Sequence, residues 1–302
     1  MGFKIFLSLV FILIVFFLLV LYWFVPLTTT EFKLSQDSYS FSDNLTNVAL
    51  QFYPNMRFSD SRISYRIGDC PLNKKGNMEE AFSVVSQKTS LNFYPVLSGE
   101  EISVSCDSKI KVEGRFFIAG EGGPTNITQA DSFNVINHGQ ILLLREVSCP
   151  LPAIEIHELL HVLGFDHIND TKSIMYPVAN CQQDIDPLII KQLGSLYSIP
   201  SEPDLAFENV SAVMRGKYLD TNISVRNYGL RSSLGSSILI YADNKLIKEL
   251  NLEPLDVGHG RVIFLTNVWV AKINTNKINF SINYSFEELT KQNNIVELQV
   301  KK

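Results

Sequence analysis

Apolar and polar positions change their rhythm several times along the 302-residue chain. Ile5 to Val25 is apolar throughout except for Ser8, long enough to cross roughly 30 Å of hydrocarbon as one helix. From Pro26 to Pro54 the chain turns polar and rich in Ser, Thr and Asn, the pattern of a stalk, with the short apolar stretch Val48-Ala49-Leu50 near its end. Two periods then interleave. Arg62 to Ile67 alternates as a half-buried strand does, whereas Asn77 to Leu91 places Met78, Ala81, Phe82, Val85 and Leu91 at helical spacing, with Asn77 as N-cap. Glu101 to Cys106 and Lys109 to Ile118 read as further strands of the same twisted sheet. Gly120 to Pro124 reads as a glycine-rich loop, and Ile141 to Val147 as an apolar strand. Pro152 suits the first turn of a helix running to Leu163, and Asp186-Pro187 opens another that ends near Tyr197.

Beyond the linker Pro200-Ser201-Glu202-Pro203 the helical period disappears. Thr221 to Val225, Ser237 to Tyr241 and Arg261 to Leu265 are short alternating strands separated by turns at Asn227-Tyr228-Gly229, Asp243-Asn244 and Gly258-His259-Gly260. The expected organisation is a short cytoplasmic N-terminus over residues 1–4, a membrane helix over 5–25 and a stalk over 26–54. An α+β domain follows over 55–199 and an all-β sandwich over 200–302.

Charge and cysteines narrow the setting. A net charge of -5, a pI near 5.6 and no long basic run exclude a nucleic acid backbone as partner. The bulky residues Trp23-Phe24-Val25-Pro26 after the apolar run lack the small-residue pattern of a signal-peptide cleavage site. They favour an uncleaved anchor, with Lys4 on the cytoplasmic side and the rest of the chain outside. In that compartment Cys70, Cys106, Cys149 and Cys181 read as two disulfides. Three connectivities are open; a 149–181 bond would staple both ends of the segment between them, Ile156 to Pro177 included, and leave 70–106. Seven N-x-[ST] sequons, at Asn44, Asn126, Asn169, Asn209, Asn222, Asn279 and Asn283, lie on the same outer side.

The chemistry concentrates in Ile156 to His167, I-H-E-L-L-H-V-L-G-F-D-H, which contains three of the five histidines. On a helix His157 and His161 share one face and present two imidazole nitrogens to one zinc ion. Gly164 lets the chain adopt a left-handed conformation and turn back, so that His167 supplies a third nitrogen from a separate segment and a fourth position is left for water. Glu158, beside the first ligand, stands where a general base can reach that water.

The spacing H-E-x-x-H-x-x-G-x-x-H, followed by Ser173-Ile174-Met175-Tyr176-Pro177, resembles the metzincin metalloproteases and, within them, the matrixins. The resemblance implies a zincin-type domain with a twisted mixed sheet, an active-site helix and a C-terminal helix. It also implies one catalytic Zn2+ on His157, His161 and His167, with Met175 as a floor beneath the imidazoles. Peptide hydrolysis would proceed by Glu158-assisted attack of zinc-bound water, the substrate lying as an added strand along an edge between Phe116 and Leu144. Gly120 to Pro124 resembles the calcium-holding loops of matrixins, yet it offers only Glu121 and backbone carbonyls where Ca2+ needs six to eight oxygens. His138 lacks the companions of a second zinc site, no cysteine precedes Cys70 to hold the enzyme latent in the matrixin manner, and Ile168 departs from the serine usual after the third histidine. Pro203-Asp204-Leu205, Val225 to Gly229, Ile238 to Asp243 and Asn293-Asn294 resemble the CARDB family of immunoglobulin-like domains, which are associated with surface adhesion and presentation.

The expected protein is therefore a single-pass, membrane-anchored, extracytoplasmic zinc endopeptidase acting on proteins or peptides, with a sandwich that could hold a surface partner. The competing expectation is a surface adhesion protein whose zinc domain is a silent scaffold.

Overall fold

The computed structural model describes residues 2–24, 29–34, 50–114, 116–145, 149–272 and 274–301. Helix α1 (Gly2–Phe24) covers the apolar run, with a mean hydropathy of 3.1 over Lys4–Leu21. Val25 lies outside the described residues. The remaining elements form two compact units, one over Phe41–Glu202 with Gly229–Arg231, the other over Met1–Ser40, Pro203–Tyr228 and Ser232–Lys302.

The strands of the first unit begin at Met56. Strand β1 (Thr29–Leu34) belongs to the second unit. The first unit contains β2 (Met56–Phe58), β3 (Arg62–Ile67), α2 (Leu72–Lys88), β4 (Asn92–Pro95) and β5 (Ile102–Cys106). It continues through β6 (Lys111–Glu113), β7 (Phe116–Ile118), β8 (Gly120–Ala130), β9 (Phe133–Leu143), α3 (Ala153–Val162) and α4 (Pro187–Tyr197). Strands β2, β3, β4, β5 and β9 run parallel in the order β2-β9-β5-β3-β4, and β8 joins β9 antiparallel. Met78, Phe82 and Val85 of α2 meet Leu159, Leu160 and Leu163 from the α3 region in one core with Ile63, Ile102 and Ile141 of the sheet.

Four expectations change here. Helix α2 starts at Leu72, so Asn77 lies inside it and donates from Nδ2 to Glu155 (3.3 Å) rather than capping. The apolar period begins only at Met78 because Leu72 is exposed and the first buried contact is a lysine: Lys74 Nζ donates to the carbonyls of Asp107, Leu143 and Leu144, closing the ends of β5 and β9. Lys111–Glu113 and Phe116–Ile118 form a separate two-stranded hairpin outside the main sheet, with Val112 and Phe117 exposed. Gly120–Pro124 is not a loop; it is the start of β8, with Glu121 ion-paired to Lys111. The strand expected to reach Val147 ends at Leu143, and 146–148 lie outside the described residues.

Helix α4 is fixed at both ends. Asp186 accepts a hydrogen bond from Leu188 N (2.8 Å) at its start. At its end the buried Arg57 guanidinium donates to the carbonyls of Leu196 and Ile199 and lies 4.5 Å over the Tyr197 ring. Disulfides Cys70–Cys106 and Cys149–Cys181 tie the start of α2 to β5 and the approach to α3 to the segment before α4.

The second unit is built from β1, β10 (Leu205–Arg215), β11 (Tyr218–Asn227), β12 (Ser236–Ala242), β13 (Lys245–Leu252), β14 (Gly260–Trp269), β15 (Lys277–Asn283) and β16 (Ile295–Val300). Burial alternates residue by residue along β11, β12 and β15, the period of strands with one face in a core. The order is β13-β12-β15-β16-β1-β10-β11-β14. Strand β1 comes from the stretch read as stalk. Its first half, Thr29–Glu31, pairs with β10, and its second half, Phe32–Leu34, pairs with β16. It therefore bridges two edges that would otherwise be open, and Phe32 enters the core with Val210, Leu298 and Phe280. One buried side chain among polar neighbours gave too weak an alternation to read as a strand. Residues 26–28 and 35–49, the rest of that stretch up to Leu50, lie outside the described residues.

Phe32→Ala should lower the stability of this unit by about 3 kcal/mol, since a core Phe is truncated. With Trp23 changed to Phe, Trp269 is the sole tryptophan and reports urea unfolding of the unit. A shift under about 1 kcal/mol would remove β1 from its core.

Candidate active site

Helix α3 starts after Pro150 and Pro152 and carries Glu155, His157, Glu158 and His161 within three turns. Four residues separate His157 from His161, so their rings project from one face, with centroids 4.6 Å apart. The helix stops at Gly164, whose φ of 93° lies in the left-handed region where a side chain is strained. The chain then reverses through Phe165 and Asp166 and returns His167 to the same point.

Three nitrogens converge there. Nε2 of His161 lies 3.0 Å from Nε2 of His157 and 3.2 Å from Nε2 of His167. Two of these rings have a fixed tautomer, because their Nδ1 atoms face carbonyl oxygens, which only accept. His157 Nδ1 donates to Ile174 O (2.6 Å) and His161 Nδ1 to Phe165 O (2.8 Å). Their Nε2 atoms therefore carry lone pairs and no hydrogen, and lone pairs aimed at one another at this distance repel unless a cation stands between them. Three nitrogens held about 2.0–2.1 Å from a tetrahedral zinc sit about 3.3 Å apart, close to the spacing seen. The donor set and its geometry fit Zn2+. Burial pushes His157 down to about 4 and lowers His161 as well, which keeps both neutral and able to ligate.

Met175 is fully buried in the turn that supplies the Ile174 carbonyl to His157. That turn is closed by Ser173, whose Oγ accepts from Met175 N (3.2 Å), and Met175 O accepts from Ile168 N (2.9 Å), one residue beyond the third histidine. The methionine turn thus braces the first histidine and the segment carrying the third.

Glu158 is 6% exposed and faces β8 across a very short gap. Burial is the main reason its carboxyl is pushed up to about 8, with Glu121 and Glu155 adding to the rise, while the Gly122 N–H bonded to it works the other way. A divalent cation beside it would also favour the carboxylate. The glycines of β8 make this approach feasible. A Cβ on Gly120 would sit 2.8 Å from Glu158 Oε1, and one on Gly122 would sit 2.3 Å from the Glu158 carbonyl oxygen. Glycines two apart on one strand face, opposite a helix, are a signal that the loop reading passed over.

A cleft of about 890 Å3 opens over the three histidines and Glu158. Its walls include Phe117 and Gly120–Gly122 on one side and Pro177–Ala179 on the other. Among the described strands β8 pairs with β9 alone, so its other edge, which begins beside the cleft at Gly120–Gly122, is open. His138 bonds through Nδ1 to Thr125 Oγ1 (2.7 Å), away from the triad, and His259 sits beside Asp256 in a turn of the other unit. Sequence reasoning also passed over Leu50–Phe52: the Phe52 ring stacks on His161 with centroids 5.7 Å apart.

Gly122→Ala should force β8 from α3 and cost about 1–3 kcal/mol, the range for overpacking against backbone. Gly120→Ala meets only a movable carboxylate and should leave the fold intact while displacing Glu158. Thermal melts of the two variants distinguish these outcomes; a Gly122→Ala protein melting like wild type would show that the strand and helix do not touch as described.

No curated protein matches the chain. Among solved structures, the CARDB domain of a Pyrococcus furiosus protein, determined in complex with di-metal ions, is similar at 17% identity and a TM-score of 0.28, over 33% of this chain and 88% of that chain. The family model of the matrixins, peptidase family M10, matches residues 57–188. That match spans β2 to the first residues of α4 and includes all three histidines, Glu158 and Met175. Within this chain, residues 57–188 form a matrixin-like domain.

Proposed function

We propose that the chain is a membrane-anchored, extracytoplasmic zinc endopeptidase that hydrolyses peptide bonds of protein substrates. The observation that carries the reading is the convergence of three Nε2 atoms beside a buried carboxylate, in an open cleft that also exposes a strand edge. His157, His161 and His167 would hold the ion. When bound, zinc supplies Lewis acidity toward a carbonyl oxygen and brings the pKa of water at its open position to about 7.

The remaining work falls to the protein's own groups. A substrate strand adds antiparallel to the free edge of β8, exchanging main-chain hydrogen bonds with a strand that needs no side chain to bind it. That register delivers the scissile carbonyl between the triad and Glu158. Glu158 accepts the proton of the attacking water and returns it to the departing amine. Its burial, its Gly122 N–H bond and the glycines opposite hold the carboxylate close to the reacting atoms without making it a metal ligand. The matrixin match to 57–188 supports the protease class.

Helix α1 supports the anchor through its length and apolarity. Only residues 25–28 separate it from β1, a reach of at most about 18 Å, so with α1 in a bilayer β1 would start close to it. The disulfides suit an oxidising compartment outside the cytoplasm.

Incubated with casein or a mixed peptide library, the purified protein should cleave internal bonds and lose that activity to a zinc chelator. Glu158→Ala should retain zinc and fold but lose about 100- to 10,000-fold in turnover, the range for a general base. Cleavage within tenfold of wild type by that variant would defeat the assignment.

A further inference from the structure

His167 is the weakly supported ligand. The other two histidines sit on a packed helix, whereas His167 is exposed and follows a left-handed glycine. Helix-end bonds fix the first part of the reversal: Gly164 N donates to His161 O (2.9 Å) and Phe165 N to Leu160 O (3.0 Å). The outer side of the turn is held by a short segment more than a hundred residues earlier in the chain. Phe52 N donates to Gly164 O (2.9 Å) and Asp166 N donates to Leu50 O (2.8 Å), forming an antiparallel bridge between Gln51 and Phe165.

The Gln51 side chain extends this clamp. Its Nε2 donates to Met56 O (2.8 Å) and, more weakly, to Leu163 O (3.4 Å) at the end of α3. Its Oε1 accepts from Met56 N (3.0 Å) and from Gln192 Nε2 (3.1 Å) on α4. Met56 and Gln51 also close over Gly164, where an added Cβ would lie 2.7 Å from Met56 Cβ and 3.4 Å from Gln51 Nε2. Phe52, the next residue, stacks nearly parallel on the His161 ring at an interplanar angle of 22°. The same Phe165 peptide that faces Gln51 supplies the carbonyl that orients His161.

We infer that Leu50–Phe52 is a positioning element for the metal centre, in which Gln51 sets the turn that delivers His167 and Phe52 sets the His161 ring. It rests on the zinc reading above and assigns two residues that the ligand signature does not contain. Partners of this kind act by restricting the ligands before the ion arrives, so that less ordering accompanies binding. Outer partners of metal ligands are typically worth 10- to 100-fold in affinity.

The test compares zinc affinity, by competition with a chromophoric chelator, for full-length wild type, Gln51→Ala and Phe52→Ala. Phe52 is 40% exposed, so its truncation leaves the fold standing even if Gln51→Ala does not. Each folded variant should bind zinc about 10-fold more weakly or worse, release it faster to the chelator, and show altered ligand-field absorption when loaded with Co2+. A merely structural role would lower the melting temperature of the metal-free protein and leave these readouts unchanged. Zinc bound within twofold of wild type by the folded variants overturns the inference alone; wild type that takes up no zinc overturns the metal reading and this inference together.

Discussion

Unshared lone pairs from different stretches of chain cannot be brought to one point without a positive charge to receive them. Everything around His157, His161 and His167 serves that constraint. The orientation of two rings is set at their far nitrogens, by the carbonyls of Ile174 and Phe165, and each carbonyl comes from a turn with its own bracing. The first belongs to the methionine turn, closed by Ser173, and the second to the reversal after Gly164. Without a cation such a cluster is a concentrated cost. With one, the same preorganisation becomes binding energy, which explains why so many main-chain bonds are committed to so few side chains.

How far this was legible in the sequence depended on whether the physics was local. The histidine spacing encodes a helix face, Gly164 a reversal and Asp186-Pro187 a helix start, and each needs only its own neighbours to act. Both helices were found close to their observed limits for that reason. The failures involved partners far along the chain. Gly120–Pro124 looks like a loop by composition, yet its glycines are there so that a strand can lie against the backbone of α3. Asn77 looks like a cap and is in fact a contact with Glu155, while Lys74, ahead of the expected helix, is a buried tie to strand ends. Gln51 and Phe52 carry no signal at all in isolation. Their role exists only once Gly164 and Phe165 are folded beside them.

The two carboxylates of α3 show how position separates similar groups. Glu155 and Glu158 are three residues apart and both buried, but Glu155 accepts from Asn77 on α2 while Glu158 faces β8 and the cleft. Only the second has reacting space before it. Arg57 is the cationic counterpart elsewhere in the same unit: its buried guanidinium donates to the carbonyls of Phe58, Ser59, Leu196 and Ile199 and lies over the Tyr197 ring, an architectural role at the end of α4.

Strand β1 has a topological outcome for any membrane-bound form of the protein. It is gripped by backbone bonds on both edges and by Phe32 in the core, so the grip does not depend on the peptide bonds that follow it. A nick anywhere in 35–49 would leave the N-terminal hydrophobic helix noncovalently held through the sheet, and the rest of such a protein still moored. Shedding into the surrounding medium would require the cut on the other side of the strand, within the four residues 25–28.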